Sequence, residues 1–552
     1  MAQKYGLDAR HASEHLQFPL QLLFLTLFSR IRHVKCDETH PSCIKCTSTG
    51  RKCDGYGLIT TALENQTVSI LQGKFNNLPG TSEEKRGLSF FLLNTAPELS
   101  GYFTNCFWGQ LIVQASMAEP SLRHALIALG SLHEEFTNKR LTYSTQDHSF
   151  AMWQHTQAIR QLRKLLAEGR HAPVTALMSC LLFVCFDSIR GAFSSAIVHL
   201  QSGMRIIRDI KIKATTCSRE DEYLVENTIA PIFIRLSSQA IMYMDTRSSS
   251  IRMSFSRDLK MIIGDKTPIP ESFDTLEATR LALEINVEEV FRLILMCDGK
   301  KRWREQPPEA WELRKKCSRN NQLWNTAFEN FMNTHSAKLD SKQLRGAALL
   351  KIQHTGIKIM SDSAPSILGD DRSTQEIHND PGTHTKLESD FETIVKLSKT
   401  LLSAAEMDAK NGKPSLSFST EMGIVAPLYY TGTHSMNKAT RAKAIDLLTR
   451  SPRREGMWDS QRSAQIVREF WVCEDRHRML TQENGDTPAL SELLDIEMYD
   501  GMNWEWRWKD PRPTGVPIGS SPVVWEQEVD EQLWFQSGLW PAFDEFGDEP
   551  RG

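Results

Sequence analysis

No stretch of this 552-residue chain reaches the roughly 18 uninterrupted apolar residues that a membrane-spanning helix needs. The nearest approach is Phe18-Pro-Leu-Gln-Leu-Leu-Phe-Leu-Thr-Leu-Phe28, preceded by Lys4 and Arg10. It has the look of the apolar part of a secretory signal, yet it lacks a small-x-small cleavage site and runs straight into basic Arg30–Lys35. Positive charge is not in excess either. Lys plus Arg number 65 against 68 Asp plus Glu, a net of −3, so any contact with nucleic acid must come from a local patch. Strand patterns are sparse and no fixed-period repeat is present. Residues 57–87 carry no sustained heptad, which removes the case for a dimerising coiled coil there. Catalytic signatures are missing as well: there is no phosphate-binding glycine loop, hydrolase serine elbow or dinucleotide fingerprint. His133-Glu134 is not followed by a histidine at the metalloprotease offset. No enzymatic activity is expected.

What is present is an ordinary globular composition, 40% hydrophobic and 24% charged, enough for a sizeable core. Apolar residues recur at helical spacing through most of the chain. Pro120 opens a run with Leu122, Leu126, Leu129 and Leu132 on one face. Residues 151–166 and 194–210 show the same period, and Pro173 begins a run apolar enough for a central buried helix. Further helices are expected over 275–297, 308–334, 344–360, 387–409, 422–451 and 460–481. Residues 246–273 and 361–385, rich in Ser, Asp, Gly or Pro, are expected to be irregular. Trp504, Trp506 and Trp508 alternate as on a strand or extended edge, and packing against the helices is their default role. His124, His133 and His199 are expected to be structural.

Eleven cysteines are unevenly spread, and four of them fall between Cys36 and Cys53. The scattered ones sit in apolar contexts such as Cys180-Leu-Leu-Phe-Val-Cys185, as reduced buried thiols do, which fits cytosol or nucleus. The clustered ones, Cys36, Cys43, Cys46 and Cys53, have the spacing C-x6-C-x2-C-x6-C. A Cys-x-x-Cys turn presents two thiolates to one metal, and the flanking cysteines complete a tetrahedron suited to zinc. Neighbouring Lys and Arg favour the thiolate form. Between Arg30 and Cys53 six Lys or Arg stand against Asp37 and Glu38, a basic island in a net-acidic chain.

This segment resembles the latter part of the fungal Zn2Cys6 binuclear cluster, whose six cysteines follow C-x2-C-x6-C-x5–12-C-x2-C-x6–8-C. Cys36, Cys43, Cys46 and Cys53 match the third to sixth ligands, and Pro41 and the Gly-Tyr pair after Cys53 fit as well. The resemblance implies two zinc ions held by two short helices, with the basic end of the first helix reading a CGG-type triplet in the major groove. Arg32 and His33 then align with base-reading positions, while Arg30 and Lys35 are better placed for phosphates. Residues 88–136, Met178–Asp187 and His199–Gly203 are similar to the helical regulatory domain that accompanies such clusters. The implied protein is a nuclear, zinc-dependent, sequence-specific regulator of RNA polymerase II transcription in a fungus, controlling a metabolic gene cluster, with a homodimer as a further expectation.

The first two ligands of the pattern fall at Thr26 and Ser29, neither a good zinc donor. Four thiolates support at most one zinc, since one of the missing sulfurs should bridge the pair. Residues 17–29 are built from amino acids that, glutamine aside, have pyrimidine-rich codons, so they are read as intron carried into the message ahead of Arg30. At the other end, eight acidic residues interleave with Trp525, Trp534, Phe535, Trp540, Phe543 and Phe546, a composition suited to docking coactivators. A terminal helix packed on the domain is the alternative for that tail.

The expected organisation is mainly α: an atypical N-terminus (1–29), an incomplete zinc-cysteine module (30–56), a linker (57–87), a large all-α domain (88–510) and an acidic-aromatic tail (511–552). Two alternatives stand beside it. One is a regulatory-domain protein without DNA binding that acts through protein partners, and the other is a membrane-anchored or secreted helical protein using Phe18–Phe28.

Overall fold

The computed structural model describes residues 80–103, 106–138, 149–168, 173–212, 218–243, 249–264, 268–297, 302–362, 372, 381–411, 417–484, 494–498 and 504–508. Almost all of them are helical, as the periodicity predicts. Helix α1 (Ser82–Phe90) starts on a capping box in which the Thr81 hydroxyl accepts the Glu84 N–H at 3.2 Å and Glu84 accepts the Thr81 N–H at 2.9 Å. A wide π-type turn, Phe91–Thr95, leads into α2 (Ala96–Ser100). A second, Phe107–Leu111, leads into α3 (Ile112–Ala118).

Next come α4 (Pro120–Asn138), α5 (Ser149–Ala167), α6 (Pro173–Arg190) and α7 (Phe193–Ile212). Helix α4 packs against α1, α3, α5 and α6, and α6 pairs with α7. As expected from its unbroken apolar run, α6 is buried nearly all round. Among the described residues it is the helix long and apolar enough to cross a membrane, and it lies inside the core. Its C-terminus turns on Gly191 at φ 76°, with the Ala192 N–H closing on the Asp187 carbonyl. The buried Arg454 guanidinium donates to the Ser188 carbonyl (2.9 Å) and the Ile189 carbonyl (2.5 Å). A cation there also suits the helix dipole.

The middle of the domain is α8 (Arg219–Leu224), a π-type turn (Val225–Ile229), α9 (Ala230–Tyr243), α10 (Ser249–Ile263) and α11 (Leu276–Met296). Helix α10 corrects the expectation of an irregular 246–273. Ser249 and Ser250 open the helix, where serine is tolerated, and Ser254 and Ser256 sit farther in, while Phe255, Leu259 and Ile262 keep a buried stripe at helical spacing.

The remaining helices are α12 (Pro308–His335), α13 (Ser341–Asp362), α14 (Pro381–Lys410), α15 (Val425–His434), α16 (Lys438–Arg450) and α17 (Ser460–Asn484). Helices α13 and α14 run antiparallel, tied by Arg345 to Asp408 at one end and Lys358 to Asp390 at the other. The start of α14 at Pro381 also takes the end of the expected 361–385 loop into helix. The single helix expected over 422–451 is two. Ser435 accepts the Asn437 N–H, and Asn437 then caps α16 through the Ala439 N–H at 2.9 Å. Local side-chain bonds of this kind compete with the helical ladder.

Two small sheets complete the architecture. Strands β1 (Phe418–Ser419), β2 (Arg454–Glu455) and β3 (Trp458–Asp459) pair in that order, β1 parallel to β2 and β2 antiparallel to β3. Strands β4 (Leu494–Met498) and β5 (Trp504–Trp508) form an antiparallel hairpin with Leu494 opposite Trp508 and Met498 opposite Trp504. The tryptophan alternation is therefore a strand. One hydrophobic cluster runs continuously from Leu88 to Ala464.

Candidate functional site

The residues expected to bind zinc, Cys36, Cys43, Cys46 and Cys53, lie outside the described residues. So do the expected DNA-contacting residues Arg30, Arg32, His33 and Lys35, together with Thr26, Ser29 and the acidic-aromatic tail. The site that the structure does describe is a polar one buried in the helical domain. It was not foreseen from sequence.

Its centre is the extended segment 417–424, which enters the core from the end of α14 and leads into α15. Glu98 on α2 accepts hydrogen bonds from the backbone N–H groups of Ser417 (2.8 Å) and Phe418 (2.9 Å) and from the Ser417 hydroxyl (3.0 Å). His133 on α4 lies beside it, fully buried, its Nε2 3.2 Å from the Ser417 hydroxyl and its Nδ1 3.0 Å from the Thr95 hydroxyl. Because the Ser417 proton goes to Glu98, the network assigns the imidazole proton to Nε2. The π-type turn Phe91–Thr95 is what aims Thr95 at His133.

Farther along, Gln239 on α9 donates to the Thr420 carbonyl at 2.7 Å, and Gln353 on α13 donates to the Met422 carbonyl. Glu421 meets Arg280 on α11 and Arg235 on α9, and both arginines also engage Glu284. Burial pushes the Glu421 carboxyl up, but Arg280 and Arg235 outweigh it and hold the group below the usual carboxylate range. The balance reverses at Glu455. It accepts the Val425 N–H at 2.8 Å and faces Arg453 at 3.9 Å, yet burial prevails and its pKa is raised.

Between Glu421, Arg453, Glu455, Tyr102 and Ser419 lies a cavity of about 20 Å³. That is room for about one water molecule with polar partners. With Glu421 and Glu455 facing arginines and Glu98 facing backbone N–H groups and His133, the arrangement ties α2, α4, α9, α11 and α13 to one strand of chain. It offers no exposed nucleophile.

The three histidines expected to be structural have core partners. His133 is described above, and His124 Nδ1 lies 2.6 Å from the Gln154 side-chain oxygen. His199 Nε2 is 3.7 Å from Asp187, which also accepts the Ser195 hydroxyl at 2.6 Å. Burial lowers His199 to about 4, and it lowers nearby His155, stacked on Phe186 at 4.3 Å, to about 3. Among the described residues no group of three or more His, Cys, Asp or Glu is arranged to hold a metal. Cys180, Cys185 and Cys317 are free and buried. Burial pushes the Cys180 and Cys317 thiols up to about 12, so they are inert at neutral pH.

Sequence comparison supplies what the geometry of the domain does not. Residues 86–510 match the "Fungal specific transcription factor domain". Residues 30–61 match the "Fungal Zn(2)-Cys(6) binuclear cluster domain", a module that binds two zinc ions and DNA. That second match begins at Arg30, directly after Ser29. The chain is 30% identical over 244 residues to the aspercryptin biosynthesis cluster-specific transcription regulator atnN of Emericella nidulans, covering 38% of each. It is 30% identical over 213 residues to the transcription regulator lscL of Purpureocillium lilacinum, covering 35% of this chain and 50% of that one. Over 30 residues it is 57% identical to the transcriptional regulatory protein moc3 of Schizosaccharomyces pombe, 5% of this chain and 6% of that one. The matches thus span half or less of these curated relatives' lengths. No solved structure matches.

Proposed function

This chain belongs to the fungal specific transcription factor domain family, and from that premise we propose that it is a zinc-dependent, sequence-specific regulator of transcription acting in the nucleus. The observation that carries the proposal is the run from Arg30 to Cys53, where four zinc-type cysteines and six basic residues coincide with the cluster match. Cys36, Cys43, Cys46 and Cys53 supply donors for one tetrahedral zinc, and the metal's part is to fix the fold of the module. Arg32 and His33 hydrogen-bond guanine edges of a CGG-type triplet, and Arg30 and Lys35 neutralise phosphates. By analogy with the named role of the Emericella nidulans relative, the regulated genes form a biosynthetic cluster. A homodimer reads two such triplets, and the acidic-aromatic tail recruits coactivators.

Thr26 and Ser29 favour a second reading, in which the chain as written acts through protein partners without holding DNA. We propose that residues 17–29 derive from retained intron and that the mature message places a Cys-x-x-Cys before Arg30. One experiment separates the two: chain expressed from the sequenced mature transcript is assayed for zinc and for retardation of a CGG-containing duplex. Two zinc ions per chain and CGG-dependent retardation are expected. A transcript that encodes Gln17–Ser29, with at most one zinc and no retardation, overturns the DNA-binding role and leaves the partner-mediated one.

A further inference from the structure

Between α16 and β2 the chain reads Arg450-Ser451-Pro452-Arg453-Arg454, and the fold leaves the serine–proline step at the surface. Ser451 is half-buried and Pro452 exposed, whereas Arg453 is 4% and Arg454 0% exposed. Ser451 caps the C-terminus of α16 at φ −131°, ψ 85°, outside the helical region that a following proline disfavours. Its hydroxyl accepts a hydrogen bond from Arg453 Nη2 at 2.9 Å, and its carbonyl accepts one from Arg453 Nε at 3.4 Å. Arg468 on α17 donates to the Thr449 hydroxyl at 2.7 Å, two residues before Ser451. Arg450 is partly exposed and paired with Glu406 at 2.5 Å.

We propose that Ser451 is a phosphorylation site for a proline-directed serine/threonine kinase, and that its phosphate is held by Arg453 and Arg468 and draws Arg453 away from Glu455. In the transfer, Ser451 Oγ bonds to the γ-phosphorus of a nucleoside triphosphate as the bond from that phosphorus to the β–γ bridging oxygen breaks. The nucleoside diphosphate leaves, and the hydroxyl proton passes to the kinase's base. Pro452 has no N–H to offer, so the acceptor suits an enzyme whose neighbouring pocket is shaped for the proline ring. The buried side chains of Arg453 and Arg454 take no part in that recognition.

The product carries about −1.5 to −2 charges and three acceptor oxygens, a good match for guanidinium groups. A phosphate at a helix C-terminus is normally disfavoured by the dipole. Here the Gln461 amide already caps the Leu448 and Thr449 carbonyls, at 3.3 and 2.9 Å, and arginines surround the position. Arg453 is also the cation facing Glu455, which in turn anchors the Val425 N–H. One side chain therefore connects a half-buried surface serine to the buried segment 417–425.

The test uses the full chain with its zinc, magnesium, ATP and a proline-directed kinase. One phosphoryl group is expected at Ser451, absent from Ser451→Ala and strongly reduced in Pro452→Ala, which keeps the hydroxyl. Amide hydrogen exchange at residues 417–425 is expected to quicken in the phosphorylated chain. Phosphorylation at Ser451 only after denaturation, or none there, overturns the site. Phosphate at Ser451 with unchanged exchange at 417–425 overturns the link to Glu455. Neither readout involves DNA, so failure here is distinct from failure of the proposed function.

Discussion

Glu98 accepts the backbone N–H groups of Ser417 and Phe418, a contact between residues 319 and 320 positions apart in sequence. The carboxylate acts as the missing neighbour strand for a segment that would otherwise bury unpaired donors. Glu98→Leu leaves those donors unsatisfied and should lower stability by about 1–3 kcal/mol. Chemical denaturation of the folded chain measures it, and an unchanged midpoint would remove Glu98 from this role.

Glu421 and Glu455 should respond to pH in opposite senses. A carboxylate held below its unfolded pKa contributes stability above that pKa and loses it as pH falls through the folded value. Glu421 is of this kind, so Glu421→Gln should cost about 3 kcal/mol near neutral pH, and the gap to the parent should narrow in acid. Glu455 is raised, so its contribution is complete below the unfolded pKa and is lost as pH rises through the folded one. Glu455→Gln should therefore gain on the parent as pH rises. Melting temperatures of both variants across the acid range decide the matter; parallel curves would contradict the assigned environments.

Glycine at two helix positions should behave differently. A Cβ on Gly130 of α4 would overlap the Gly87 carbonyl oxygen of α1, and a backbone atom cannot step aside. Gly130→Ala should destabilise by about 1–3 kcal/mol. At Gly356 of α13 a Cβ meets nothing within 4 Å, so Gly356→Ala should stabilise by about 0.5–1 kcal/mol. Thermal unfolding of the pair is the check, and equal shifts would deny the close α1–α4 crossing.

For the proposed DNA-binding role, Cys46→Ser should empty the zinc site and abolish duplex retardation. Arg32→Ala should cost about 1–3 kcal/mol and relax preference within the CGG triplet. Lys35→Ala should weaken all sequences alike and reduce the salt dependence by about one counterion. Titrations at several salt concentrations distinguish them, and a uniform loss for Arg32→Ala would deny it base contact.

Helices were legible wherever the apolar period was long and unbroken, as in α6, whose pattern Pro173–Phe186 needs no partner to be recognised. Legibility failed where local composition and tertiary need diverged. The serines ahead of Phe255 hid α10, and Ser435 and Asn437 broke one apparent helix into α15 and α16. The buried polar segment gave no local sign, because Glu98, Arg280, Gln353 and Glu421 are far apart in sequence.

The sequence by itself carried the whole reading of the cysteine module, since ligand spacing and flanking charge are local properties that need no fold to be read. It also determined that the bulk of the chain is helical, because a 3.6-residue apolar period is written in consecutive residues. Only the tertiary structure decided which charges are buried together. It turned Glu421 and Glu455 into groups of opposite pH response by setting two arginines against one and chiefly burial against the other. It also left Ser451 within reach of solvent while folding Arg453 and Arg454 inward, a difference of side-chain direction that no spacing in the sequence encodes.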